Sequence, residues 1–81
     1  MEPLSEQQQV SQRLAQVKDA CIYQEEKVEY CRKRLDKAYD SFFTSGSRVR
    51  MLNYELVKEG NILKILDGYR KHLSRKIGEY N

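Results

Sequence analysis

The sequence predicts an all-α fold: an antiparallel two-helix coiled-coil hairpin with apolar surface to spare for pairing into a four-helix bundle. Three observations carry this. Apolar residues recur on a seven-residue rhythm in two separate runs. Between the runs stands "TSGS", residues 44–47, a knot of poor helix formers. The composition is 33% charged with one Pro and no Trp, which suits long exposed helices better than a compact mixed fold. At 81 residues the chain makes one hairpin, residues 1–81, and buries only a modest share of its surface.

The first helix is expected over about residues 5–44. Ser5 is placed to cap it, with Gln8 three residues on as the reciprocal partner and Pro3 just outside. With Val10 at heptad position d, Leu14, Cys21, Val28, Leu35 and Phe42 fall at a, while Val17, Cys31 and Ala38 fall at d. Only Gln24 breaks that stripe. A turn follows at about 45–47, because Gly46 suits a left-handed residue closing one helix and Ser47 suits the cap of the next.

The second helix is expected over about 48–79. Val49, Leu56, Leu63, Arg70 and Ile77 take a; Leu52, Glu59, Leu66, Leu73 and Tyr80 take d. Gly60, Gly68 and Gly78 each weaken it by roughly 1 kcal/mol relative to Ala, though the rhythm runs through the first two without a skip. Folding the chain so that facing residue numbers sum to about 94 sets a against d. Phe42 then faces Leu52, and the polar Gln24 and Arg70 share a layer that specifies register. One layer fits badly, with Leu35 against Glu59.

Charge is unevenly spread. Residues 1–30 hold six acids and three bases, residues 31–81 six acids and twelve bases. The hairpin therefore lays Lys64, Lys71 and Arg75 near Asp19, Glu25, Glu26 and Glu29, in pairs worth only ~0–1 kcal/mol each.

A two-helix seam leaves apolar residues over. Tyr23 and Tyr30, with Ile22 and Phe43, lie off the first stripe; Ile62, Ile65 and Tyr69 widen the second around Leu66 and Leu73. Ile62, Ile65, Leu66, Tyr69, Leu73, Tyr23 and Tyr30 thus form the candidate partner-binding set, for another helical protein or a second copy of this chain. The expected function is a non-enzymatic protein–protein interaction module: a small adaptor, chaperone-like subunit or assembly component. In length and heptads the chain resembles the small coiled-coil proteins of bacterial type III and flagellar export systems, which escort or scaffold other helical proteins.

The clusters "CRKRLDK" and "YRKHLSRK" raise a basic, nucleic-acid-binding alternative, and an anionic membrane surface behind it. A net charge of only +3 and acids beside most bases favour solvated, internally paired helix faces. No enzyme is expected, and no cofactor or metal site. His72 is the only histidine, and the glycines are scattered singly. Cys21 and Cys31 resemble half of the twin-cysteine pattern of some mitochondrial intermembrane-space hairpins, but the returning helix has no second pair. Ten residues on one helix is roughly 15 Å, too far for a bridge, so both read as reduced, buried apolar residues. The N-terminus carries neither a basic nor an apolar leader segment, and no apolar run approaches bilayer length, so a cytoplasmic location is expected.

Overall fold

The computed structural model describes residues 4–80; Pro3 and the side chain of Tyr80 lie outside the described set. Two helices, α1 (Glu6–Tyr39) and α2 (Gly46–Tyr80), fold back on one another as an antiparallel hairpin, with no strand among the described residues. The molecule is a rod with extents of 61 × 25 × 15 Å. No helix among those residues is long and apolar enough to cross a membrane.

The start of α1 follows the sequence closely. Gln8 N–H donates to Ser5 Oγ at 3.2 Å and Ser5 N–H donates to Gln8 Oε1 at 3.0 Å, so two otherwise orphaned donors are satisfied reciprocally. Glu6 sits in the first turn and Lys37 in the last, each complementing the helix dipole.

The turn departs from expectation. α1 stops at Tyr39, five residues before the expected 44. Asp40 N–H still reaches Asp36 O at 3.1 Å and Ser41 N–H reaches Ala38 O at 3.3 Å, but beyond them the chain leaves the helix. Ser41 Oγ then accepts from Phe43 N–H at 3.3 Å, the local bonding by which serine competes with helix. Ser45, rather than Ser47, caps α2: its Oγ accepts from Arg48 N–H at 3.2 Å and its carbonyl from Val49 N–H at 3.1 Å. Gly46 is the first residue of α2 and has no positive φ, so no left-handed closure is used.

Moving the turn moves the register. Observed cross-helix partners Arg13–Tyr69, Gln24–Glu59 and Arg34–Glu55 have numbers summing to 82, 83 and 89, against the expected 94. The seam has therefore slipped by about one heptad. Because a facing pair sums to twice the turn's centre, pulling the turn back three to four residues accounts for the whole slip. A seven-residue slip keeps a against d, so the apolar seam survives it. Gln24 meets Glu59 rather than Arg70, Leu35 escapes Glu59 and packs near Leu52, and Phe42 leaves the seam altogether.

Two apolar clusters fill the seam. Near the free end, Val10, Leu14, Val17 and Cys21 pack with Leu73, flanked by Leu66 and Ile77. Near the turn, Leu35 and Ala38 pack with Leu52, flanked by Val49 and Leu56. Cys21 and Cys31 are free thiols and buried, as apolar seam residues should be.

Candidate interaction surfaces

Helical geometry divides what remains into two flanks. Positions g and c lie on one side of an a/d seam, and e and b on the other. In an antiparallel pair the g side of one helix meets the g side of the other.

The g/c flank is built from tyrosines, isoleucines and a few cross-helix polar links. Lys27 Nζ sits 5.8 Å from the centre of the Tyr23 ring, and the Arg34 guanidinium 5.6 Å from that of Tyr30. Each cation also reaches across the seam: Lys27 to Glu59 Oε1 at 3.9 Å and Arg34 to Glu55 Oε2 at 3.5 Å. The motif is thus used twice, tyrosine at c, cation four residues on at g, glutamate on the opposite helix. Arg13 Nη1 donates to Tyr69 Oη at 3.5 Å further along the same side. Between these links Ile62 is 37% and Ile65 72% exposed, with half-buried Ala20 at the facing g position. The opposite flank sets Glu25, Asp67 and Lys64 around Gly60 and Leu63, and carries Ile22, Tyr39 and Val57 as exposed apolar or aromatic residues spaced along it.

The candidate partner-binding residues accordingly divide. Tyr23, Tyr30, Ile62, Ile65 and Tyr69 are exposed, and their heptad positions and cross-helix links place them on the g/c flank. Leu73 is buried in the free-end cluster, and Leu66 packs against it, so both serve the seam. Their d positions account for this.

Gln24 and Glu59 form a buried polar layer between the two clusters. Gln24 Nε2 donates to the Glu59 carbonyl at 2.9 Å and to its Oε2 at 2.5 Å, and no buried side-chain polar atom among the described residues lacks a partner.

Charges pair both within and between the helices. Arg70 hydrogen-bonds Asp67 through Nε and Nη2 at 3.1 and 2.6 Å, and Lys71 lies 3.1 Å away. These bonds, Arg70's first and then Lys71's, hold the Asp67 carboxyl below the ordinary aspartate range. Arg32 does the same for Glu29. The expected contacts from Lys64, Lys71 and Arg75 to the acids of α1 are not made; with the slipped register, Lys76–Glu6, Arg34–Glu55 and Lys27–Glu59 bridge the helices instead.

The loop residues Phe42 and Phe43 are 102% and 98% exposed. Heptad reasoning hides Phe42 in the seam; the cue it passes over is the pair of local cap formers, Ser41 and Ser45, that bracket the two phenylalanines. Surface depressions are shallow and open, and no three His, Cys, Asp or Glu side chains among the described residues come together as a metal-holding group. Comparison with known proteins finds no family model, no characterised relative and no solved structure matching this chain.

Proposed function

We propose that the hairpin is a non-enzymatic protein–protein interaction module, of an adaptor, chaperone-like or assembly kind, that takes a further helix along its g/c flank. One observation carries the reading. Tyr23, Tyr30, Ile62, Ile65 and Tyr69 line the same side of the rod, yet the most enclosed residue among those described, Leu52, lies elsewhere at 2% exposure. A two-layer rod has no third element to cover that side, whereas a helix laid between Ile62 and Tyr23 would bury it as in a bundle. A second copy of this chain is the simplest helix of that kind.

Half-used cations support this over the nucleic-acid alternative. Arg32, Arg34, Arg70, Lys71 and Lys76 are each already within reach of a carboxylate. Sedimentation equilibrium of the reduced protein at low and high salt tests the reading. A helical dimer that holds at high salt and is dispersed by Ile65→Asp supports it; Ile65 is too exposed for that change to disturb the seam. A monomer that binds nucleic acid with an affinity falling steeply in salt replaces it with the alternative, because counterion release leaves that signature.

A further inference from the structure

We propose that the turn of the hairpin is a docking tip for an anionic lipid surface, with Phe42 and Phe43 entering the interface and a collar of lysine and arginine holding the headgroups. This inference concerns the end of the rod and is independent of the g/c flank.

The two phenylalanines are as open as residues of an extended chain, so neither contributes to the packing of the hairpin. They stand together in a six-residue loop at the end of a 61 Å rod, and exposed Tyr39 and Met51 widen the apolar cap on either side. The shape is convex. A tip of this form does not receive a ligand; it is received by something flat and soft or by a hole.

Charge chooses between those. Within about two turns of the loop, Lys33, Lys37, Arg48 and Arg50 have no ion-pair partner among the described residues. The acids in the same region are Asp36 and Asp40; Arg34 is engaged by Glu55 and Arg32 by Glu29. An apolar aromatic point surrounded by free cations complements the interface of an anionic membrane, where aromatic rings settle at headgroup depth and basic residues gain from the surface potential. The N–H groups of Asp40, Ser41 and Phe43 are already bonded to Asp36 O, Ala38 O and Ser41 Oγ, so they carry no unmet donor into the interface.

The chain contains no tryptophan, so Phe43→Trp introduces a single reporter exactly at the tip's apex residue pair. The full chain carrying it is titrated with phosphatidylcholine vesicles with and without phosphatidylserine. The expected result is a blue shift, quenchable by brominated acyl chains, on the phosphatidylserine vesicles and weakening with salt. In co-sedimentation with the same vesicles, Phe42→Ser with Phe43→Ser is expected to lose roughly tenfold or more in partitioning. Each of Lys33, Lys37, Arg48 and Arg50 changed to Gln is expected to cost up to about fivefold. Circular dichroism should be unchanged in the serine variant, since both side chains lie outside the packing. Three results overturn the proposal: no shift on either vesicle, equal partitioning without phosphatidylserine, or a shift that appears with rising protein concentration in lipid-free buffer. The last would assign the tip to a protein contact.

Discussion

The free-end and turn halves of the seam close the same gap with different materials. At the free end α1 supplies Val10, Leu14, Val17 and Cys21, all small or medium in size, and α2 answers with one buried residue, Leu73. Toward the turn the contribution is more even, Leu35 and Ala38 against Leu52, and Leu52 is the most enclosed of the described residues. The difference teaches where cohesion comes from in so thin a molecule. A row of modest side chains on one helix needs length to hold its partner, whereas a leucine set beside an alanine holds it at a point.

Substitution should expose that contrast. Leu52→Ala removes the point contact and is expected to cost about 2–4 kcal/mol, enough to open the turn half. Leu73→Ala should cost less, about 2 kcal/mol, because the free-end cluster spreads its packing over more residues. Urea titration followed by circular dichroism measures both. Hydrogen exchange by residue should locate the loss on the matching side of Gln24; a uniform loss in both variants would show that the halves are not separate units.

The polar layer between the halves gives the next effect. Gln24→Leu alone strips Glu59 of its donor and is expected to destabilise by about 1–2 kcal/mol. Gln24→Leu with Glu59→Leu joins the two clusters and should recover that loss and add ~1 kcal/mol. The stabilised double variant should also lose its fixed alignment. Spin-label distances across the seam would then show a second population about 10 Å away, one heptad of rise; a single sharp distance would mean that the turn alone sets register.

The smallest expected effect separates the helices themselves. A Cβ built on Gly60 or Gly68 meets nothing within 4 Å. Gly60→Ala and Gly68→Ala should therefore each raise stability by about 0.5–1 kcal/mol in thermal melts. No gain from either would mean that α2's glycines answer to a contact outside this chain.

Both helices, the Ser5 capping box and nearly every seam position were legible from heptads and cap chemistry, because those are local signals. The alignment of one helix on the other was not. A pattern that repeats every seven residues looks the same after a slip of seven, so the apolar rhythm alone cannot fix it; the turn and the Gln24–Glu59 layer do, and Ser45 and Ser47 are near-equal caps two residues apart. The sign of trouble was present in the pairing of Leu35 with Glu59, a misfit that the one-heptad slip removes by bringing Glu59 to Gln24. On the surface, Tyr23, Tyr30, Ile62, Ile65 and Tyr69 could be read as surplus from their positions off the stripe. The exposure of Phe42 could not, since it continues the a series without a break until the turn is known.

The antiparallel course of α1 and α2 also sets how the molecule would answer to force. Glu6 and Tyr80 lie at the same end of the rod, so tension applied there peels the helices apart one layer at a time instead of sliding them past each other. Rupture would begin at the Glu6–Lys76 pair and the Val10–Ile77 end of the cluster and travel toward the turn. The Gln24–Glu59 layer, where hydrogen bonds must break before the next leucine is reached, lies part-way along that path. A hairpin of this kind yields gently from its open end and would pause at that layer.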